Sequence, residues 1–187
     1  MSNFLFWQGE IEGLYIIEPK VYGDARGYFM ETYQYEAFRS AGLSMEFVQD
    51  NQSLSSKGVL RGLHFQKKHP QGKLVRALMG TVYDVAVDLR QGSPTYGKYQ
   101  GVILSEENKK MFYVPEGFAH GYLVLSETAV FSYKCTDYYH PEDEGGIIWN
   151  DPEVCIDWPL EEGIHPLVSD KDSVLPTLKQ SGFTFPR

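Results

Sequence analysis

The chemistry this chain offers centres on one histidine. His64 lies in GVLRGLHFQ (58–66), and no Asp or Glu occurs from 51 to 83, a stretch that holds Lys57, Arg61, Lys67, Lys68, Lys73 and Arg76. An imidazole has a reference pKa of about 6.5 and exchanges protons near neutral pH, while lysine and arginine attract anions. The balance reverses from Asp137 to Glu162, where acids recur without a Lys or Arg. Two readings fit: a solvated basic face beside an acidic loop, or a local site for an anionic ligand inside an acidic shell. On an extended strand Leu60, Gly62, His64 and Gln66 would share one face, and Arg61, Leu63 and Phe65 the other.

The frame that must position these groups is constrained by composition. The chain has 187 residues and 42% hydrophobic, 22% charged and 14% aromatic content. That suits one domain, 1–187, with a core large enough to fold without disulfide or metal staples. The 13 Tyr and 11 Phe lean towards strands. The net charge of −8 argues against nucleic acid as a partner. Cys135 and Cys155 form no C-x-x-C pair, so a reduced, cytoplasmic setting is expected. The opening MSNFLFWQGEIEG lacks a basic n-region and does not read as a signal peptide. No apolar run is long enough to span a membrane.

Turn signals at Gly23-Asp24, Gly58, Pro70-Gln71-Gly72, Gly92-Ser93-Pro94, Pro115-Glu116-Gly117 and Gly145-Gly146 separate short β-rich runs. The clearest, TVYDVAVDL (81–89), sets Tyr83, Val85, Val87 and Leu89 on one face and Asp84, Ala86 and Asp88 on the other. Further strands are expected at 13–18, 28–32, 45–51, 58–65, 73–79, 97–104, 110–114, 121–125 and 128–136. A short helix fits Tyr35–Ser40, and Ser105–Asn108 reads as one capped turn. Beyond about 159 the chain reads as irregular. Without helical crossovers a parallel sheet is disfavoured, and the expectation is all-β: an antiparallel jelly-roll barrel or sandwich with short peripheral helices.

A second His-bearing segment, PEGFAHG (115–121), hands a Pro-x-Gly turn to His120. Gly58-x5-His64-x-Gln66 and Pro115-x-Gly117-x2-His120 resemble the two cupin signatures. Gln66 replaces one His ligand, and Gln71 stands where the carboxylate ligand would be expected. Glutamine is a poor transition-metal ligand, so a cupin-like barrel with no metal and no cofactor is expected. Over nearly its whole length the chain resembles the dTDP-4-dehydrorhamnose 3,5-epimerase family. The matching stretches are DARGYFMETY (24–33), FVQDNQS (47–53), GVLRGLHFQ, QGKLVR (71–76), DVAVDLR (84–90), GVILS-x-x-N (101–108), PEGFAHG, YKCTDYY (133–139), GGIIWNDP (145–152) and SDKD (169–172).

The resemblance implies inversion of C3 and C5 in a 4-keto sugar carried on dTDP. Both protons are α to the C4 carbonyl, so the reaction needs a base, a cation at the enolate oxygen and an acid on the opposite face. It implies His64 as base, Asp172 as its carboxylate partner, Lys73 at the oxyanion and Tyr133 as the acid. It further implies Arg61 and Arg26 on the diphosphate, Glu31, Gln49 and Asn51 around the nucleotide, His120 in the sugar pocket, and Glu144 and Lys171 at its rim. The acidic stretch should otherwise lie outside the pocket. A homodimer that exchanges N-terminal strands is implied, with Arg26 and Glu31 serving the neighbouring subunit. The alternatives are a C3-only epimerase or ketoisomerase, a metal-dependent cupin enzyme, and a non-catalytic nucleotide-sugar-binding cupin.

Overall fold

The computed structural model of the chain describes residues 2–160 and 164–186. One antiparallel sheet has the spatial order β1 (Phe4–Gln8), β2 (Tyr15–Pro19), β10 (Met111–Val114), β7 (Lys73–Met79), β12 (Thr128–Cys135) and β5 (Gln49–Ser56). The second sheet runs β13 (Glu144–Gly146), β6 (Leu60–Gln66), β11 (Phe118–Val124), β8 (Thr81–Asp88) and β9 (Tyr99–Ser105). A separate hairpin joins β3 (Tyr22–Asp24) to β4 (Gly27–Phe29). This is a cupin-like jelly roll, all-β apart from the short helices α1 (Tyr35–Ser40), α2 (Asp170–Ser173) and α3 (Leu178–Ser181) and a 3₁₀ turn at Pro141–Asp143. No helix among the described residues is long and apolar enough to cross a membrane.

Both faces of the five-stranded sheet find cover around β8, which explains why that strand is buried along almost its whole length. Val82 and Ala86 join Val75, Phe112, Val124 and Phe131 between the sheets. Val85, Val87 and Leu89 point the other way, under Trp158, Leu178 and Phe185 of the C-terminal segment. That segment has little regular structure because its task is to cap an apolar sheet face, which irregular backbone can do as well. On the outside of the six-stranded sheet, Phe38 of α1 packs with Phe4, Ile17, Leu74 and Met111. Burying such a phenylalanine contributes about 1.5–3 kcal/mol. The Gln34 side chain caps α1 by accepting from Ala37 N. The turn after β9 is closed as expected, with Asn108 N donating to Ser105 Oγ and Ser105 N to Asn108 Oδ1.

Several expected boundaries move. The strand expected at 45–51 starts at Gln49 and continues to Ser56. Its polar QDNQSLSS gives no hydrophobic period, because Asn51, Ser53 and Ser55 face a polar interior and the other face lies open at the sheet edge. β11 begins at Phe118, before its expected start at 121. The strands β1, β3 and β13 carried no readable signal, two of them being only three residues long.

The face assignment in β6 also changes. The β6–β11 register shifts between His120 and Tyr122, so that His64 pairs with His120 but Arg61 with Tyr122. Leu60, Leu63 and Phe65 consequently share the outer face. Arg61 and His64 line the same interior cavity, not opposite faces. Gly62 makes this possible. A Cβ there would lie 2.6 Å from Gly121 Cα and 2.8 Å from His120 O, and its φ is +125°. Only glycine accepts that backbone and that approach.

Candidate active site

The interior between the sheets opens into two adjoining chambers. One has a volume of about 500 Å³ and is lined by Arg61, His64, Lys73, His120, Tyr122, Phe131 and Tyr133, with Ser169, Lys171 and Asp172 at one side. The other, of about 350 Å³, is lined by Gln49, Asn51, His64, Gln66, Lys73, Tyr133, Tyr139 and Glu144. His64, Lys73 and Tyr133 border both chambers. They come from opposite walls: His64 from β6 of the five-stranded sheet, Lys73 and Tyr133 from β7 and β12 of the six-stranded one. A flat ligand between the walls would therefore meet an imidazole on one side and a phenol on the other.

His64 is held from behind. Its Nε2 lies 2.7 Å from Asp172 Oδ1. The other carboxylate oxygen accepts from Gly62 N at 3.3 Å, and Ser169 Oγ caps the turn by accepting from Asp172 N at 3.1 Å. Burial alone would raise the Asp172 pKa, but the hydrogen bond and charge of His64, the Gly62 N–H and the Ser169 hydroxyl outweigh it and keep the carboxylate below its usual range. A carboxylate facing Nε2 favours the tautomer with its proton there, leaving the lone pair on Nδ1.

Lys73 is half-buried at the start of β7, opposite Val114 and Cys135. Burial lowers its ammonium pKa, against an opposing pull from Cys135, Asp84 and Glu144. The Tyr133 phenol is pushed up to about 12, chiefly by burial and then by Cys135 and Tyr122. It is therefore a proton donor throughout the physiological range. His120 turns its Nε2 to both oxygens of Asp84, at 2.9 and 3.0 Å. Asp84 is wholly buried, which raises its pKa, while His120 and Lys73 draw it back down.

At the first chamber's wall, Arg61 Nε donates to Ser55 Oγ at 3.2 Å, leaving the rest of the guanidinium fork for a ligand. Tyr122 stacks on Phe131 with centroids 4.1 Å apart and shares a 2.8 Å hydrogen bond with Ser53. In the second chamber Gln49 Nε2 donates to Asn51 Oδ1, and Gln49 Oε1 accepts from Tyr139 N. Lys171 and Glu144 form an ion pair that bridges the rims of the two chambers. Glu144 is the one acid of the 137–160 stretch that lines either chamber. Glu161 and Glu162 lie outside the described residues.

Ten of the twelve expected residues thus meet around one space. Arg26 and Glu31 do not. Arg26 sits in the β3–β4 turn, almost fully exposed and paired with Asp24, and Glu31 accepts from Asn3 Nδ2. Sequence reasoning missed Asp84, Tyr122, Phe131, Ser53 and Tyr139. Asp84 had a readable signal, an acid in the middle of an apolar strand; the others look like ordinary strand residues. The interior donors do not suit a resident metal ion of the cupin kind. His64 and His120 are each committed to a carboxylate. The Gln66 amide donates to His69 O and Tyr138 O and accepts from His140 N.

The profile of the dTDP-4-dehydrorhamnose 3,5-epimerase family matches residues 8–180. An enzyme of that name from Methanothermobacter thermautotrophicus is 55% identical over 92% of this chain and 93% of its own. Its Escherichia coli counterpart is 53% identical over 91% and 92%. A dTDP-6-deoxy-D-glucose-3,5-epimerase from Legionella pneumophila Philadelphia 1, solved in complex with dTDP-4-keto-L-rhamnose, superposes with a TM-score of 0.91. It is 54% identical, over 94% of this chain and 93% of its own. The barrel, the two-walled cavity and these likenesses run the length of the chain, which belongs to the dTDP-4-dehydrorhamnose 3,5-epimerase family.

Proposed function

We propose that this enzyme inverts C3 and C5 of dTDP-4-keto-6-deoxyglucose to give dTDP-4-keto-L-rhamnose, through enolates of the C4 ketone. The observation that carries the reading is the placement of His64 and Tyr133 on facing walls, with Lys73 bordering both chambers. In this mechanism Nδ1 of His64 removes the proton α to the carbonyl, and Asp172 stabilises the imidazolium. The enolate charge gathers on O4, against the Lys73 ammonium. The Tyr133 phenol then returns a proton to the opposite face of the same carbon, which inverts it. Solvent takes the proton from His64 and restores the one lost by Tyr133, and the cycle repeats at the second carbon.

The sugar belongs in the larger chamber, beside His120, with Arg61 gripping the diphosphate as a planar fork. Gln49, Asn51 and Tyr139 then face the nucleotide, and Lys171 with Glu144 closes the rim. Arg26 and Glu31 act on the chamber of a second subunit in a homodimer. Exposed Leu5, Trp7, Tyr22, Tyr28 and Phe29 on the N-terminal strands support such an interface. The free thiols of Cys135 and Cys155 favour a reducing, cytoplasmic setting.

Turnover of dTDP-4-keto-6-deoxyglucose in heavy water tests the assignment. Deuterium is expected at both C3 and C5. Deuterium at C3 alone would make the protein a C3 epimerase.

A further inference from the structure

Three side chains with metal-ligating atoms converge outside the cavity, where two connecting segments meet. His69 lies between β6 and β7, and Asp137 and His140 between β12 and the 3₁₀ turn at Pro141–Asp143. The two imidazoles stack with centroids 4.1 Å apart and planes inclined by 19°. His69 Nδ1 is 3.8 Å from Asp137 Oδ2. One ligand atom from each of the three lies within 4.8 Å of the other two.

The backbone beneath them is fixed by side chains that have no part in the proposed proton transfers. The buried Gln66 amide ties the two segments together: Nε2 donates to His69 O at 2.6 Å and Tyr138 O at 3.1 Å, and Oε1 accepts from His140 N at 2.8 Å. Gln71 Nε2 donates to Asp137 O at 2.8 Å. The buried Asp143 carboxylate accepts from Lys68 N and His69 N, each at 2.8 Å. The three ligand side chains thus spring from a frame already built, and only their side-chain torsions need to adjust.

The donor set selects the ion. Two imidazoles and a carboxylate suit zinc, cobalt, nickel or copper, whereas magnesium and calcium prefer all-oxygen shells. Zinc holds such donors at about 2.0–2.2 Å in a tetrahedron, which sets them roughly 3.4 Å apart. Closing from within 4.8 Å takes shifts of about 1 Å, and one of the two stacked rings must turn out of the stack so that both in-plane lone pairs reach one ion. We propose that His69, Asp137 and His140 bind one transition-metal dication of the zinc type, with water in the fourth position, and so staple the β6–β7 connection to the segment that carries Tyr139. Tyr139 adjoins His140 in sequence and lines the second chamber, with its N–H on Gln49. The ion would stiffen that wall without touching the substrate. The proposal does not depend on the epimerase reading.

Equilibrium dialysis of the untagged full-length chain against zinc chloride, with bound metal counted, tests it. Melting curves with zinc or magnesium run alongside. The expected result is one more zinc equivalent in the unaltered protein than in the double variant His69→Ala/His140→Ala, and a zinc-dependent rise in Tm that His69→Ala and Asp137→Asn each remove. Magnesium should leave Tm unchanged, and His69→Ala should keep metal-free turnover. No zinc uptake, or equal uptake and equal Tm shifts in the double variant, overturns the proposal and assigns any bound zinc to other groups.

Discussion

Asp172 Oδ1 lies 2.7 Å from His64 Nε2, although 108 positions separate the two residues. The bond favours the tautomer with its proton on Nε2, which leaves Nδ1 as the basic nitrogen. Asp172→Asn should reverse that preference, because an amide N–H aimed at Nε2 makes it the acceptor and moves the proton to Nδ1. A fall in kcat of about 10²–10⁴ is expected. The rate of deuterium entry from solvent measures it, with an unchanged circular-dichroism spectrum as the control for folding. An unchanged rate would remove Asp172 from the mechanism.

Lys73 makes a separable prediction, because in the proposed mechanism its partner exists only once the enolate forms. Lys73→Met should lower kcat by about 10²–10³ and leave KM little altered, as expected for a donor aimed at a developing oxyanion. A change confined to KM would mean that it binds the ground state only. Burial holds the ammonium below the ordinary lysine pKa of 10.5. Its proton is therefore lost, and activity with it, at a lower pH than a free lysine would give. A pH–rate profile that still rises at the ordinary lysine pKa would contradict this.

Tyr133 is pushed up to about 12, so its phenol outlasts the Lys73 ammonium as pH rises and does not set the alkaline limb. Removing the hydroxyl should uncouple exchange from inversion. If His64 is the base as proposed, Tyr133→Phe leaves it able to take the proton and return solvent deuterium to the same face. Labelled substrate of unchanged configuration is then expected to accumulate, with little product. Proton NMR of the sugar ring distinguishes label with retention from label with inversion. Inversion at the native rate would exclude Tyr133 as the acid.

The legible parts of this chain are those whose reason is local. The alternation of 81–89, the capped turn at Ser105–Asn108 and the helix at Tyr35–Ser40 follow from residue type and spacing, and each forms as expected. Strict alternation sets Arg61 and His64 on opposite faces, because it cannot anticipate a register shift. The shift arises from contact between Gly62 and Gly121, residues far apart in sequence. The dyads His64–Asp172 and His120–Asp84 are long-range in the same sense; resemblance supplied the first, and the second had to be seen. A Cβ at Gly121 would lie 2.6 Å from Arg61 O and 3.1 Å from both Gly62 Cα and Leu63 Cδ2, and the two backbone atoms cannot yield as a side-chain end can. Gly121→Ala should therefore cost about 1–3 kcal/mol of stability and raise KM by displacing Arg61. Urea unfolding and a KM measurement on the same preparation would show both effects; a fully stable variant would mean that the strands can separate without cost.

Asp88 tests the fold away from the site. It is wholly buried at the end of β8 and accepts from Arg90 N and Nε at 2.9 Å, Arg90 Nη2 at 2.8 Å, Ser93 Oγ at 2.6 Å and Thr95 Oγ1 at 2.7 Å. Burial alone would raise its pKa, but these donors outweigh it and bring it down to about 2. An unfolded aspartate titrates near 3.9. The folded state therefore gains stability from Asp88 at pH values above the unfolded pKa, and loses it as pH falls through the folded one. Discounted for screening, the contribution is on the order of 1–2 kcal/mol at neutral pH. Asp88→Asn should lower stability by about that much at pH 7, with the gap to the unaltered protein closing between about pH 4 and pH 2. Denaturant unfolding across that range measures it, and a gap that stays constant with pH would show that the loss is one of packing and not of charge.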